Sequence, residues 1–278
     1  MVRTLIKQSV ISLLCFLAVL LAFAQVDWMQ VFGLHHSIIE EKLGDVYWDL
    51  FSHSEQFVEK PEAVAPVDSM LAVLCRANGI DRDRVQLHLV KSEEINAYAC
   101  PGDHLVVYTS LLEACHCPEE LCGVLAHELA HITSGHVMRK LIKEIGLTTL
   151  TVLVSGNGSG EAFGEVMRVL SSTAYDRSLE READNLAITY LLQSGVDPRP
   201  LGDFLMRISD DETLPSFTEW ISTHPDSEKR SQWIYQRASK EGERIDSCRP
   251  LMTQEEWGKY QHRMKEFSST RADSLSVF

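Results

Sequence analysis

The residues with the clearest chemical meaning lie in VLAHELAHITSGHV, residues 124–137. His127-Glu128-Leu129-Ala130-His131 has the H-E-x-x-H pattern inside an apolar, helix-forming stretch. Four residues turn an α-helix through about 400°, so His127 and His131 share one face, about one turn apart. Two imidazoles so placed can hold one Zn²⁺. Glu128, beside that face, can take a proton from water on the metal. A helix with two core histidines and a surface glutamate would give the same letters. Here Val124, Leu125, Ala126, Leu129, Ala130 and Ile132 already bury the rest of the helix, which favours the metal.

His136 is the tempting third ligand. On a continuous helix it lies about 500° past His131, roughly 140° off the ligand face. The pattern that breaks the helix at a glycine and swings a third histidine back, H-E-x-x-H-x-x-G-x-x-H, needs glycine at 134 and histidine at 137. The chain has Ser134 and Val137, with Gly135 and His136 one residue out of register. His136 is therefore expected to be structural or to back a ligand. The missing donor must come from elsewhere. In Arg177-Ser178-Leu179-Glu180-Arg181-Glu182-Ala183-Asp184, Glu180 and Asp184 are four apart on one face of a predicted helix. Glu182 is about 200° round from Glu180 and should face solvent. Glu180 would complete a His₂Glu set with an open fourth position. Asp184 can hydrogen-bond a ligating imidazole and fix its tautomer. Alone, E-x-x-x-D is a charged helix surface; beside H-E-x-x-H it supplies what the metal lacks.

These residues carry a family resemblance. H-E-L-A-H followed by R-x-x-E-x-E-A-D resembles the HtpX, Oma and CAAX-prenyl-protease group of gluzincin metallopeptidases. Asn96-Ala97-Tyr98-Ala99-Cys100-Pro101-Gly102-Asp103 is similar to that family's N-A-F-x-x-P-G-G segment, with Asp103 in place of the second glycine. Ser222-Thr223-His224-Pro225 followed by Arg230 is similar to its S-T-H-P…R segment. The four stretches keep the family's order over roughly residues 65–240. The resemblance implies one Zn²⁺ per chain, held by His127, His131 and Glu180. It implies a mostly helical α+β fold of zincin-like (minigluzincin) type, with a small β-sheet beside the active-site helix. It also implies a strand through Asn96, Ala97 and Tyr98 beside the cleft, able to pair with substrate backbone. His224 is placed near the metal, either as a self-inhibiting fourth ligand or as a donor to the transition-state oxyanion. Tyr98, Tyr175 and Tyr190 are further possible donors by residue type alone. His35-His36 is most simply a solvent-exposed pair.

The elements that must position these residues are legible in outline. Residues 29–51 read as an amphipathic helical lead-in, and the Pro/Ala run 60–66 as a break after it. A helix over 67–78 stops at Gly79. The period then changes. Val85–Val90 alternates as a strand, 95–99 is a short second one, Pro101-Gly102-Asp103 is a turn, and 105–109 is a third. Pro118-Glu119-Glu120 opens a helix that should run through Lys140 or beyond. Residues 141–154 are apolar but too short to cross a bilayer. Gly156–Gly160 reads as a loop. Further helices are expected near 174–194, 199–210 and 226–244, and a poorly ordered polar tail after Cys248.

The 278 residues suit one sizeable domain: 45% are hydrophobic and 24% charged, a globular composition. Net charge is −14 with no basic run, which argues against nucleic acid as a partner. Arg3 and Lys7 precede the apolar run Val10–Ala24, and Ala22-Phe23-Ala24 offers a small-x-small cleavage site. Residues 1–24 are thus a signal peptide or an N-terminal anchor. The expected order continues with a lead-in (25–66), a metallopeptidase domain (67–245) and a tail (246–278). Location is then the periplasm or cell envelope, with membrane association, peripheral or anchored, left open. Cys115, Cys117 and Cys122 lack a second cysteine pair to build a zinc knuckle and read as buried thiols or one disulfide.

The function these features imply is a zinc metalloendopeptidase. It would hydrolyse peptide bonds in unfolded or misassembled envelope proteins, with Glu128 activating a zinc-bound water. The alternative is a chaperone or assembly factor of the envelope that binds such polypeptides and is normally self-inhibited by His224. Residues 246–278 are too few for an array of three or more helical repeats, which favours the peptidase.

Overall fold

The computed structural model describes residue 16 and residues 38–158, 160–210 and 218–269. Apart from Phe16, the expected signal or anchor segment lies outside the described residues. So do 25–37, with His35-His36, and 270–278.

Helix α1 (Ile38–Ser54) buries Leu43, Tyr47 and Phe51, spaced four apart. The Pro/Ala run expected to break the chain instead starts α2 (Pro61–Ala77). Pro61 sits in the first turn, where a missing N–H costs nothing, and Pro66 is carried inside the helix. Three strands follow: β1 (Gln86–Val90), β2 (Ala97–Cys100) and β3 (His104–Tyr108). Their order is β1-β3-β2, with β1 parallel and β2 antiparallel to β3. The β2–β3 hairpin turns through Gly102 (φ 79°) and Asp103 (φ 60°). Both are left-handed, within the three-residue loop between the paired Cys100 and His104. Asp103 therefore adopts the backbone that a second glycine would, with its carboxylate accepting from Arg84 at 3.0 Å.

After α3 (Thr109–Ala114) comes α4 (Pro118–Thr133), with Pro118 in its first turn and every residue from Leu121 to Ile132 buried. Arg207 donates to buried Glu120 at 2.8 and 2.6 Å and fixes the start of this helix. α4 stops at Thr133 rather than running through Lys140. Gly135 takes φ 63°, and α5 (His136–Glu144) begins in a new direction. Then come α6 (Leu147–Val152), a π-type turn over Leu153–Asn157, and α7 (Gly160–Ser172). α8 (Arg177–Gln193), α9 (Arg199–Asp210), α10 (Thr218–Thr223) and α11 (Ser227–Ala238) complete the framework of the site. The single helix expected over 226–244 divides, with α12 (Gly242–Asp246) as a separate piece.

The poorly ordered tail expected after Cys248 is corrected in part by α13 (Gln254–Ser269). Trp257, Tyr260 and Met264 recur at helical spacing and are fully buried against α2 and α3. Trp257 Nε1 donates to Cys115 O (3.2 Å) and Tyr260 Oη to Ala63 O (2.8 Å). The three apolar residues were hidden in an otherwise polar stretch. Cys115 and Cys122 are buried, Cys117 is half-buried, and none is in a disulfide.

The architecture is mostly helical α+β, with the three-stranded sheet beside α4. Helix α4 is the hub: α8 packs along it, α9 crosses it, and β2 lies against its other side. α9 approaches so closely that a Cβ on Gly123 would stand 2.7 Å from Leu201 Cβ. Among the described residues, no helix is long and apolar enough to cross a membrane.

Candidate metal centre

Helix α4 presents His127, Glu128 and His131, all fully buried. The one-turn spacing brings the two imidazoles together: His127 Nε2 and His131 Nε2 are 3.0 Å apart. Helix α8 brings Glu180 onto the same point, with Oε1 3.3 Å from His131 Nε2 and Oε2 3.5 Å from His127 Nε2. His224, at the end of α10, is the fourth group. Its Nδ1 lies 3.1 Å from Glu180 Oε1. One donor atom from each of the four residues falls within 4.8 Å of the others.

The surroundings fix these groups from behind. Asp184, one turn beyond Glu180, places Oδ1 3.2 Å from His127 Nδ1. Arg230, from α11, donates to Asp184 from Nε (3.0 Å) and Nη2 (2.8 Å), and its Nη1 lies 2.5 Å from Glu180 Oε2. That leaves Glu180 Oε1 turned toward His131 and His224. Behind His131, His136 Nδ1 lies 3.1 Å from His131 Nδ1. His136 in turn has Nε2 3.4 Å from Glu182 Oε2. The angular reason for excluding His136 assumed one continuous helix. The break at Gly135 sets its position instead, and puts it on the back of a ligand-type histidine. Glu182 is half-exposed, near the solvent side expected of it.

Glu128 bridges the helix to the sheet. Ala99 N–H of β2 donates to its Oε2 at 3.1 Å. Its Oε1 makes no hydrogen bond among the described residues and lies 3.5 Å from His224 Nε2. Of the expected substrate strand, Ala97 and Tyr98 are buried in β2, with buried Asn96 just before it. Asn96 O accepts from Tyr108 N, inward to β3, whereas Ala99 N–H points to the outer edge. Backbone groups alternate along a strand, so Ala97 shares that outer edge.

The electrostatics follow from burial opposed by fixed charges. Burial pushes the Glu128 carboxyl up, against the pull of His224 and His127. Burial also works against ionising Glu180 and Asp184, but Arg230 and the imidazoles outweigh it and hold both low. Burial keeps His131 well below the usual histidine range. Burial and Arg230 oppose a proton on His127, yet Glu180 and Asp184 raise its pKa to about 9.

These residues fit a divalent metal: two imidazoles and an ionised carboxylate in a closed site, each steadied from behind. The buried donor His224 Nε2, without a hydrogen bond among the described residues, adds to the fit. Lys140 escaped the sequence, and Arg230 and Tyr175 were named there without the contacts they make. Arg230 was visible only as a motif position, with no role assigned. Tyr175 packs its ring 4.1 Å from that of His131. Lys140, buried, stands with Nζ 4.3 Å over the Tyr175 ring, and burial lowers its pKa to about 8. Of the other tyrosines, Tyr98 Oη meets Tyr108 Oη and Tyr190 Oη meets Thr133.

Comparison with known proteins agrees with this geometry. The model for peptidase family M48 matches residues 61–238. The chain is 26% identical over 269 residues to "Metalloendopeptidase OMA1, mitochondrial" from Bos taurus, covering 89% of this chain and 51% of that protein. It is 27% identical over 218 residues to "Beta-barrel assembly-enhancing protease" from Yersinia pestis (72% and 44%). With the protein of that name from Escherichia coli K12 it shares 25% over 229 residues (77% and 45%). The chain thus spans about half the length of these relatives. The match of the family model over most of the chain, through every residue of the buried site, means that this chain belongs to peptidase family M48.

Proposed function

We propose that this chain is a zinc-dependent endopeptidase acting on unfolded or misassembled proteins of the cell envelope. The observation that carries this reading is the buried convergence of His127, His131 and Glu180, beside a carboxylate, Glu128, with one oxygen uncommitted. Those three residues would hold the Zn²⁺, which when bound supplies Lewis acidity toward a carbonyl and makes water a better nucleophile. Glu128 Oε1 accepts the proton of the attacking water, while Oε2 stays anchored on Ala99 N–H. Its raised pKa suits it to hold that proton and return it to the leaving amine. Arg230 keeps Glu180 and Asp184 ionised, and Asp184 orients His127 through Nδ1. An extended polypeptide added to the outer edge of β2, along Asn96, Ala97 and Tyr98, would lie beside Glu128, because Ala99 on that edge already touches it. Such pairing selects chains that can present free backbone. The apolar run Val10–Ala24 and the names of the assembly-enhancing relatives support an envelope location.

A second reading rests on His224. Its ring is fully buried within the donor set, between Trp220 (ring centroids 4.8 Å apart) and Tyr175 (5.8 Å). As a fourth ligand it would close the open position and leave a binding protein that seldom cuts. Incubation of the full chain with casein, with and without a zinc chelator, separates the readings. Cleavage by wild type that the chelator and Glu128→Gln both abolish supports the peptidase. Cleavage only by His224→Ala supports self-inhibition. Cleavage that survives Glu128→Gln sinks the mechanism.

A further inference from the structure

The first turns of α8 and α11 wall a hollow of about 180 Å³ beside the metal centre. Arg177, Glu180 and Arg181, three and four apart, line it from α8. Lys229 and Arg230 line it from α11, with Asp226 just ahead of that helix. Glu180 belongs to the buried donor set, and Pro225, which completes the wall, follows His224 of the same set. Sites for drug-sized ligands start at roughly 300 Å³, so this hollow suits one side chain or chain end.

Four cations face two carboxylates here, on a chain of net charge −14. Both carboxylates are committed. Glu180 meets Arg230 and the imidazoles, and Asp226 holds Arg177 at 2.8 Å and Lys229 at 3.6 Å. Arg181 has its guanidinium 4.1 Å over the Trp233 ring. Among the described residues no carboxylate pairs with it. The stack holds the guanidinium plane and leaves its N–H edge for an acceptor. The helix ends add to the pull on an anion. Asp176 and Asp226 stand ahead of α8 and α11, yet neither caps the first turn through its side chain. Asp176 Oδ1 instead accepts from Lys143 Nζ at 2.7 Å. Other acids nearby are turned elsewhere, Glu182 to Arg139 and Glu228 to Gln232.

We infer that this hollow receives a carboxylate of the polypeptide substrate, from an acidic side chain or the C terminus, held by Arg181 and Lys229. The inference rests on the peptidase reading, which makes a polypeptide the ligand of the adjoining site. Because the wall is shared with the donor set, a polypeptide lying across the metal centre can extend one group into it. The chain's overall charge repels acidic peptides, so a preference for them must come from local contacts.

Fluorescence anisotropy of dye-labelled, unstructured peptides on the full zinc-loaded Glu128→Gln chain tests this without cutting. One peptide carries a single central Glu and a second has Gln there, each with a free or an amidated C terminus. At low salt one carboxylate should tighten binding about tenfold, as charge-assisted hydrogen bonds do. A gain from Glu in the amidated peptide assigns the side chain; a gain only from the free end assigns the terminus. Arg181→Glu should abolish the gain and favour Lys at the same place, whereas Arg181→Lys should keep most of it. Lys229→Glu, at an exposed position, gives the same reversal should Arg181→Glu fail to fold. No gain from either carboxylate overturns the proposal. So does a gain that both reversals leave intact, and its loss on chelation would put the carboxylate on the metal. A persistent gain in a chain whose wild type never cuts casein would sink the peptidase reading alone, and the hollow would then hold a bound, uncut polypeptide.

Discussion

His127 and His131 bring two ring nitrogens to 3.0 Å, and His88 and His104 bring two to 2.9 Å. The first pair faces Glu180, with Asp184 and Arg230 behind. The second, on β1 and β3, is stacked beneath the Trp48 ring, at 3.6 and 4.6 Å between centroids. Among the described residues, no carboxylate forms an ion pair with His88 or His104. Among the described residues, the metal-type cluster is confined to the first pair and its partners. Burial lowers His88, with help from His104, to about 3, and it lowers His104 to about 4 despite Asp45 and Asp103. His127 rises to about 9, because Glu180 and Asp184 overcome the same burial. Contact between two imidazoles therefore does not by itself make a metal-type cluster. The anionic donors decide, by making positive charge welcome where burial alone forbids it.

The largest expected effect tests that claim at its centre. Glu180→Ala should lose most of its zinc, read by metal analysis of the purified protein, while His88→Ala should keep a full equivalent. Retention by the first or loss by the second would break the comparison. Next, Glu128→Gln should keep its zinc and lose casein cleavage by about 10²-fold or more, as removal of a general base does. Third, metal uptake should depend on pH. With its pKa near 9, His127 carries a proton in the metal-free protein that binding must displace. Apparent zinc affinity should rise about tenfold per pH unit up to about 9, then level; competition with a chromophoric chelator measures it. Fourth, His136→Ala should retain stoichiometric zinc, because His136 touches His131 from behind rather than the metal position.

The smallest effect belongs to the second pair. His88 is protonated near 6.5 when unfolded but only near 3 when folded. The unfolded state thus binds the extra proton first as pH falls. The stability His88 contributes is complete above 6.5 and is lost between 6.5 and about 3. His88→Gln should flatten the fall of Tm between pH 7 and 5 by a few degrees, in thermal melts, without touching zinc content.

The site was more legible than the elements around it. Residues within one turn of a helix meet by local geometry, so His127, Glu128 and His131 could be grouped from spacing alone, and Asp184 with Glu180 likewise. Where the backbone departs from its period, spacing misleads. Gly135 redirects the chain, so His136 reaches His131 by a route no helical angle describes. Pro61 starts a helix where proline was read as a break. Trp257, Tyr260 and Met264 found a surface to bury against that their own stretch does not announce.

What the sequence determined by itself is local and chemical. It supplied the residues that converge in the buried cluster and the carboxylate beside them, their order along the chain, and the Gly-Asp turn that closes the β2–β3 hairpin. Only the tertiary structure decided which distant groups share a point. Arg230 on Glu180 and Asp184, Ala99 N–H on Glu128 and His224 among the donors all join segments tens of residues apart. The physical reason is that burial makes an isolated charge costly. Partners from α4, α8, α11 and β2 must therefore arrive together, and packing rather than spacing brings them there.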